Sequence, residues 1–590
     1  MELSSQKAGL AGGTSDAVTK TAERISCWQA GAAIEGQVVM SEVTAGAATA
    51  AGTAEAHDVC VIGSGPAGAF VAHELVAAGA RVVLVEAGEA VTPGALSHLS
   101  RSAFKHRGSW EERQAPYYPD GITGEVRYQT PAINVDRIRV LGGRSVHWNA
   151  VCLRFSSDDF REKSVGGIEE DWPISYDDLA PYYAYVERTI GVCGTREGLA
   201  VLPDGEFSGA PPPLRCAEQI ASVACRQAGL RLIPTRKALQ VGGAGRGLRM
   251  PCHYCGRCML GCDVGAIFTT PNTLLPRALA TGRLTLRTNA LVRKLLVDTN
   301  GLVRAASVVD RRTKGEEEIG ARLFVVSCGS IESARLLLNS ACERHPNGLA
   351  NSSDLVGRYL TGHAVGSLYG YLSQLAGSRE RPGARGALDH SYIPRPAVTG
   401  GGGKYVGGFG AQVQYADLDF PHHASRVPGF GAPFKAEVKR LQPALLQMGG
   451  FAKVIAQAEN RITVETSRPD RYGIPSPAVR FEFGDNDRAL FVDMMDRLST
   501  IYDKARVEMV FRNDNLGGLA SHETGTCRMG ADPRTSVLNP FCRAHDVANL
   551  FVVDGSPFVT LPEKNPTLTI MALAVRTARY IADASKRRNL

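Results

Sequence analysis

A glycine-rich unit at residues 57–88 constrains the fold of this chain more than any other stretch. A short apolar run is followed by Gly63, Gly65 and Gly68 in the spacing G-x-G-x-x-G, then by an Ala-rich stretch, and then by a second apolar run that ends in Glu86. This order predicts a strand, a tight loop, a helix and a second strand. The first glycine permits a sharp turn, the second lets the backbone approach a pyrophosphate, and the third lets the helix pack on the strand. The unit therefore predicts an α/β fold with a doubly wound, Rossmann-like domain.

The same unit predicts a dinucleotide site. Unpaired backbone N–H groups at the start of the predicted helix, together with the positive end of its dipole, favour phosphate groups. Glu86 lies where a carboxylate can accept hydrogen bonds from a ribose. In a chain with 64 glycines, one such spacing is often an ordinary turn, but here the strands, the helix and the acid all occur where the motif requires them. These residues alone leave open whether the dinucleotide is FAD or NAD.

The composition indicates a globular protein of several domains. The chain has 590 residues, of which 44% are hydrophobic, so it can bury a large core. The 66 Lys and Arg residues exceed the 59 Asp and Glu residues by only 7 and are scattered, which predicts no nucleic-acid partner and no anionic membrane surface. No apolar run approaches the roughly 18 residues of a membrane span. We therefore expect a soluble enzyme without a membrane span.

The first 54 residues differ from the rest of the chain. They are rich in Ala, Gly, Ser and Thr and lack apolar periodicity, which predicts a mobile N-terminal tail. They also lack a basic start followed by an apolar core, so no secretory signal is predicted. The compartment stays open: the cytoplasm is expected unless the chain is exported to the periplasm with a signal-bearing subunit.

The rest of the chain is predicted to form two domains. Residues 284–297, 302–309 and 321–327 are predicted strands, and the last of them leads through a small-residue turn into a helix, as in the first unit. Gly-rich segments that alternate with β-branched runs between residues 365 and 515 indicate a separate sheet. The predicted dinucleotide domain comprises residues 55–150, 251–364 and 516–590, and the predicted substrate domain with its surface loops comprises residues 151–250 and 365–515.

Three local predictions concern helix starts and loops. The helix that runs to Ile190 is predicted to begin with Asp177 or Asp178 as its cap. Residues 201–250 carry Pro and Gly clusters, which predict loops over the surface. Near the C-terminus, Asn565 predicts a helix that starts with an Asn cap and has Pro at its first position.

Four cysteines within eleven residues predict a metal site. Cys252, Cys255, Cys258 and Cys262 have the spacing C-x₂-C-x₂-C-x₃-C of an iron–sulfur ferredoxin run. Structural zinc is less well supported, because it usually takes two cysteine pairs that lie further apart. Asp263 replaces the proline of the ferredoxin run, so both a three-iron and a four-iron cluster remain open. A structural loop without metal, with reduced or disulfide-bridged cysteines, is the other alternative.

Several motifs taken together resemble the glucose-methanol-choline (GMC) oxidoreductase family. They are the opening unit, Gly142-Gly143 with His147-Trp148, residues 328–335 (CGSIESAR), residues 522–530 (HETGTCRMG), Asp554-Gly-Ser, and Asn565-Pro-Thr-Leu-Thr. The resemblance extends from about residue 57 to the C-terminus. Asn565 stands where many relatives carry a second His, which is similar to the pyranose oxidase and glucoside 3-dehydrogenase branch.

The resemblance implies FAD, bound by a doubly wound domain, and a substrate domain built on an antiparallel sheet. It implies that the enzyme oxidises a secondary or anomeric hydroxyl of a sugar or glycoside by hydride transfer to flavin N5. His522 would be the base, and Asn565 would hold the same oxygen. Gly142, Gly143 and Asp554 would contact FAD. His147 resembles a position where some relatives link FAD covalently, and this remains open.

The resemblance also implies partners. Some related sugar dehydrogenases use a cysteine loop of this kind to pass electrons from flavin to a cytochrome, and some are exported to the periplasm with a signal-bearing small subunit. Three other functions stay open: an electron-transfer subunit that carries flavin and cluster, a flavin-bearing lyase, and an oxidase or dehydrogenase of a non-sugar alcohol. His522 and Asn565 argue against the first, since a carrier needs neither.

Overall fold

The computed structural model describes most of the chain from residue 57 onwards. The described residues are 57–91, 127–128, 138–243, 247–255, 258, 261–378, 390–396, 403–413, 424, 427–516 and 521–589. The tail predicted for residues 1–54 lies outside them. Within the described residues, no helix is both long enough and apolar enough to cross a membrane.

The described residues form sixteen strands and nine α-helices. The strands are β1 His57–Ile62, β2 Val82–Val85, β3 Arg127–Tyr128, β4 Ile233–Pro234, β5 Leu284–Arg287, β6 Ala290–Val297, β7 Val303–Asp310, β8 Glu316–Val326, β9 His363–Leu372, β10 Ser391–Ile393, β11 Phe409–Val413, β12 Leu445–Lys453, β13 Arg461–Pro469, β14 Pro475–Arg480, β15 Val507–Asn513 and β16 Leu550–Val552. The helices are α1 Pro66–Ala77, α2 Glu162–Gly166, α3 Tyr176–Ile190, α4 Cys216–Gln227, α5 Thr270–Leu279, α6 Ser330–Asn339, α7 Gly431–Leu441, α8 Asp485–Ala505 and α9 Thr567–Lys586.

A seven-stranded sheet carries the glycine-rich loop. Its order is β5-β2-β1-β8-β7-β6, and β16 pairs with β8. The strands β5, β2, β1, β8 and β16 pair in parallel, whereas β6, β7 and β8 are antiparallel. The parallel strands β1 and β2 are continuous apolar runs, as expected for strands covered on both faces. The prediction of an α/β fold is confirmed, and three distant segments of the chain meet in this one sheet.

A six-stranded antiparallel sheet forms the second layer. Its order is β15-β9-β12-β11-β10-β4. The helix α8 packs closely on it, because glycines in β9 and β12 leave room for methionine side chains. A Cβ atom at Gly366 would overlap the Sδ atom of Met495, and one at Gly450 would lie 2.6 Å from that of Met494. The longest strand of this sheet, β9, begins at His363.

A small third sheet and several helices connect segments of the two predicted domains. The strands β14 and β13 form a third sheet with β3, and β13 and β14 pack against α6. The helix α3 packs against α9, and α9 packs against α1. Segments predicted for the substrate domain therefore pack on elements predicted for the dinucleotide domain, and the boundaries between the two domains remain predictions.

Three local predictions were wrong. Residues 201–250 contain the helix α4, whose buried face consists mainly of small residues such as Ala217 and Ala221 and carries no large apolar side chain. The cap of α3 is Ser175, and the carboxylate of Asp178 instead accepts a hydrogen bond from the Ser175 backbone N–H in a capping box. Residues 284–297 form two strands rather than one, because Asn289 adopts a left-handed backbone (φ 56°) between β5 and β6.

Candidate active site

A cavity opens where β1, β2 and β8 end. Its lining combines the glycine-rich loop with segments from the middle and the end of the chain. Lining residues include Gly63, Gly65, Glu86, Gly143, Arg144, Cys328, Gly329, His522, Asp554, Gly555 and Pro566. The carboxyl ends of parallel strands are the usual position of a dinucleotide in open α/β sheets.

The three glycines of the loop have different surroundings. Gly63 has φ +99°, and a Cβ atom there would lie 2.4 Å from the carbonyl oxygen of Ser327. A Cβ atom at Gly68 would lie 1.9 Å from the carbonyl oxygen of Gly63, so only glycine lets α1 pack here. A Cβ atom at Gly65 would have no neighbour within 4 Å, and Gly65 lines the cavity. The open space beside Gly65 can hold a ligand that approaches the backbone closely.

The carboxylate of Glu86 organises the same loop. Its Oε2 atom accepts hydrogen bonds from the Ser64 backbone (3.0 Å) and hydroxyl (2.6 Å), and its Oε1 atom accepts one from the Gly88 N–H (2.7 Å). Ser64 Oγ in turn accepts a hydrogen bond from Gly142 N at 2.8 Å. Each carboxylate oxygen can accept more than one hydrogen bond, so Glu86 can hold the loop and also bind a ligand hydroxyl.

The second glycine pair lies against the first loop. Gly142 and Gly143 have φ +96° and +51°, and a Cβ atom at Gly143 would lie 3.3 Å from Gly65 Cα. Gly143 lines the cavity, but the half-buried His147, also a described residue, is not among the lining residues. The indole of Trp148 donates a hydrogen bond to the carbonyl of Phe268 at 2.8 Å.

Asp554 links the end of β16 to the start of α6. Its Oδ2 atom accepts a hydrogen bond from Gly329 N (2.9 Å) and contacts the Ser333 hydroxyl, and its Oδ1 atom accepts one from Ser556 N (2.8 Å). Burial raises the pKa of this carboxyl, and the hydrogen bonds partly offset the rise. The group lines the cavity beside Gly329.

His522 and Asn565 come together from distant segments. Asn565 Nδ2 lies 3.1 Å from His522 Nε2, and Asn565 Oδ1 accepts a hydrogen bond from Gln412 Nε2 at 2.8 Å. The prediction that Asn565 caps the last helix was wrong: α9 begins at Thr567 with Pro566 as its cap residue. The amide of Asn565 instead serves the site, since a single side chain cannot do both.

The pKa of His522 is lowered well below 6.5. Burial is the largest cause, and the positive charge of Arg144, together with that of His363 when it is protonated, acts in the same direction. Arg144 is itself held by Ser521 O (2.6 Å) and by the Glu523 carboxylate (2.7 Å). His522 is therefore neutral at pH 7 and can accept a proton.

Sequence reasoning missed two residues that contact this pair. His363 Nδ1 lies 2.8 Å from His522 Nδ1, and Gln412 binds Asn565. Both are almost fully buried. A polar residue within an apolar strand was the available signal for Gln412, which is the one amide in the β11 run FGAQV.

The cysteine loop is only partly described, because residues 256–257 and 259–260 lie outside the described residues. All four cysteines are half-buried. Burial raises the pKa of Cys252 to about 12, and the other three thiols add to the rise. The ligand atoms that lie within 4.8 Å of one another are those of His253, Cys255 and Asp263, rather than three or four cysteine sulfurs of the described part.

Known proteins resemble this chain along most of its length. The family model described as GMC oxidoreductase matches residues 72–365 with its N-terminal part and residues 456–574 with its C-terminal part. A 2-methyl-1,2-propanediol dehydrogenase of Mycolicibacterium austroafricanum is 34% identical over 90% of this chain and 96% of its own. A paromamine 6'-oxidase of Streptomyces fradiae is 30% identical over 89% of this chain and 91% of its own.

Two further proteins extend the comparison. The large subunit of a fructose dehydrogenase of Gluconobacter japonicus is 27% identical over 90% of this chain and 98% of its own. The solved structure of pyridoxine 4-oxidase from Mesorbium loti superposes with a TM-score of 0.60, at 19% identity, over 89% of this chain and 99% of that one. At this identity the superposition shows a shared fold.

Proposed function

The chain belongs to the GMC oxidoreductase family, and we propose that it oxidises a secondary or anomeric hydroxyl of a sugar or glycoside, with His522 as the base. The observation that carries this proposal is the contact between His522, which lines the cavity, and Asn565: their side-chain nitrogen atoms lie 3.1 Å apart. A hydroxyl oxygen beside both can donate its proton to His522 Nε2 while it accepts a hydrogen bond from Asn565.

FAD is the cofactor of this family, and the cavity suits it. The open space at Gly65 leaves room for a pyrophosphate close to the start of α1, and the carboxylate of Glu86 can accept hydrogen bonds from a ribose. We propose that Gly63, Gly65, Gly68, Glu86, Gly142, Gly143 and Asp554 hold the cofactor. When bound, FAD supplies the acceptor for the hydride that leaves the substrate carbon.

The neutral state of His522 supports its role as base. Because burial lowers its pKa, the imidazole is neutral at pH 7, and its Nε2 electron pair can accept a proton from a hydroxyl that replaces the contact with Asn565. A positioned general base typically accelerates proton transfer by about 10² to 10⁴. Asn565 can orient the hydroxyl without competing for its proton, since an amide nitrogen is not basic.

The substrate class is tested by a panel of alcohols. Anaerobic protein loaded with FAD is mixed with paromamine, fructose, gluconate or 2-methyl-1,2-propanediol, and the loss of flavin absorbance is followed. We expect at least one of the first three to bleach the flavin.

The diol is included because a related dehydrogenase carries it in its name, so a non-sugar alcohol is the second candidate. If the diol alone bleaches the flavin, the sugar assignment is wrong. If none does while dithionite does, the oxidoreductase site acts on another alcohol or the lyase alternative holds.

We also propose that the cysteine loop carries an iron–sulfur cluster that passes electrons to a partner. Four thiols occur in one loop, and the chain continues from this loop into Thr270, whose hydroxyl binds the carbonyl of Ser64 at 3.0 Å in the glycine loop. A fructose dehydrogenase large subunit is similar along nearly its whole length. A small subunit and a cytochrome are the proposed partners.

A covalent link between His147 and FAD is tested separately. Acid precipitation of the FAD-loaded protein leaves yellow flavin on the polypeptide if the link exists. Complete release of flavin into the supernatant contradicts a covalent bond.

A further inference from the structure

A continuous series of hydrogen bonds runs through His522, which lines the cavity. His363 Nε2 lies 2.7 Å from the carbonyl oxygen of Pro562, and His363 Nδ1 lies 2.8 Å from His522 Nδ1. The series continues from His522 Nε2 to Asn565 (3.1 Å) and from Asn565 to Gln412 (2.8 Å). It joins strands β9 and β11 to the residues just before α9.

The backbone carbonyl at one end fixes the direction of every bond in the series. A carbonyl can only accept, so the hydrogen of His363 is on Nε2. A neutral imidazole has one N–H group, so His363 Nδ1 is an acceptor and the hydrogen between the two rings belongs to His522 Nδ1. His522 Nε2 then has no hydrogen, and Asn565 donates to it.

His363 stays neutral in the range where the enzyme works. The ring is fully buried, and burial lowers the pKa of His363 to about 4. The Pro562 carbonyl and the charge of Glu563 partly offset this, while the charge of Lys564 adds to it. A protonated His363 would present an N–H group to His522 and reverse the direction of the series.

Packing holds the two rings in this arrangement. Their planes are nearly perpendicular (89°) with centroids 5.0 Å apart, and the ring of Phe451 lies 5.9 Å from that of His363 and 5.8 Å from that of His522. Phe451 therefore packs beside both imidazoles.

We propose that His363 is a positioning residue that holds His522 as the tautomer with its hydrogen on Nδ1, so that Nε2 is the atom that takes the substrate proton. The inference rests on the proposed function and assigns a task to a residue outside the catalytic pair. The hydroxyl proton moves to His522 Nε2, the ring then carries N–H on both nitrogens, and His363 Nδ1 continues to accept from His522 Nδ1. FAD, when bound, would accept the hydride with its electron pair.

Two amide substitutions separate the two ends of His363. His363→Asn keeps an acceptor near the position of Nδ1 but loses the donor to Pro562, whereas His363→Gln keeps a donor near Nε2 but loses the acceptor for His522. Each variant is prepared as the FAD-loaded full chain, and flavin content and melting temperature are recorded for both. If His363 has only a structural role, the activity of each variant should fall in step with its flavin content and its melting temperature.

The kinetic readout is anaerobic flavin reduction by the best alcohol of the panel above. We expect His363→Gln to lower the limiting rate of flavin reduction by at least about tenfold, while its apparent substrate Kd stays within about threefold of the wild-type value. For His363→Asn, we expect both the limiting rate and the apparent Kd to stay within about threefold of the wild-type values. For comparison, loss of the group that fixes the histidine tautomer in a serine protease lowers kcat about 10⁴-fold. Equal rates in the two variants, or a slower Asn variant, would overturn the proposal.

The tautomer itself is read from ¹⁵N-histidine solid-state NMR of the FAD-loaded protein, with His522→Asn to assign the signals. We expect a protonated Nδ1 and a bare Nε2 for His522 in the wild type and a mixture in His363→Gln. A protonated Nε2 in the wild type would overturn the proposal even if no alcohol in the panel reduced the flavin. If His522→Asn loses activity but His363→Gln reduces flavin at the wild-type rate, the role of His522 as base stands. The positioning role of His363 is then rejected.

Discussion

At the residue scale, burial of two neutral histidines makes stability depend on pH. The folded-state pKa of His363 is about 4 and that of His522 is well below 6.5, whereas an unfolded chain protonates both near 6.5. Above that pH neither state binds these protons, and stability is at its full value. As pH falls below about 6.5 the unfolded state gains protons that the folded state does not, so each histidine lowers stability by up to about 1.4 kcal/mol per pH unit.

The free energy of unfolding should therefore fall less steeply with decreasing pH when His363 is replaced. Between pH 7 and pH 5, His363→Asn should lose about 2 kcal/mol less stability than the wild type. Urea unfolding of the cofactor-free proteins at the two pH values measures the difference. An identical loss in both proteins would contradict neutral burial of His363.

The sequence could predict only part of the site at this scale. His522, Asn565 and Glu86 stand in local motifs whose chemistry is recognisable from a few neighbours. His363 and Gln412 contact the pair across 159 and 153 residues, respectively. No local pattern encodes these contacts, because they arise only when β9 and β11 pack beneath the segment before α9.

At the scale of elements, two glycines of the glycine loop have different roles: one serves cofactor binding and the other serves folding. Gly65 has φ −60°, and a Cβ atom there meets nothing within 4 Å, so alanine fits the protein and intrudes only on the ligand space. We expect Gly65→Ala to keep the melting temperature of the cofactor-free protein and to lose most of its FAD after dialysis. The flavin-to-protein ratio measures the loss.

Gly68→Ala is the matched comparison. Its Cβ atom would lie 1.9 Å from the Gly63 carbonyl oxygen, so the start of α1 must shift away from β1. We expect destabilisation of about 1–3 kcal/mol, as for other overpacked positions, and a lower melting temperature without cofactor. Equal melting temperatures for the two variants would contradict the distinct roles of the glycines.

The elements that the sequence failed to predict share a physical cause. The helix α4 buries small residues instead of large apolar ones, and Asn289 interrupts an apolar run without a Gly or Pro signal. Asn565 has the local signature of a helix cap, but its amide is bound by groups from other segments. In each case tertiary packing outweighed a local preference.

At the scale of the whole molecule, three separated segments build the cofactor sheet. Strands β1 and β2, β5 to β8, and β16 come from the three segments predicted from sequence, which the parallel pairings bring together. We propose that residues 55–150, 251–364 and 516–590 act as the FAD domain and residues 151–250 and 365–515 as the substrate domain. The active-site pair then lies where the two meet, since His522 and Asn565 belong to the FAD domain and Gln412, which binds Asn565, belongs to the substrate domain.

If electrons leave the flavin through the cysteine loop, changes in that loop should slow electron transfer to the partner without slowing flavin reduction by substrate. Anaerobically prepared protein should contain iron and acid-labile sulfide. Replacing Cys255 and Cys258 by Ser should leave flavin reduction by substrate nearly intact and slow the reduction of a cytochrome at least about tenfold.

Cys342→Ser, which changes an exposed cysteine outside the loop, is the control and should behave as the wild type. Flavin-containing protein without iron, together with an unchanged rate of cytochrome reduction in the double variant, would reject the relay.

The measurement that tests the account most directly is stopped-flow reduction of the bound flavin in the wild type and in His522→Ala. The His345→Ala variant, altered at a partly exposed histidine outside the cavity lining, serves as the control. We predict that His522→Ala retains FAD but is reduced by substrate at least about a hundredfold more slowly, as expected for loss of a general base. A rate near that of the wild type in His522→Ala, with FAD fully bound, would contradict the proposed active site.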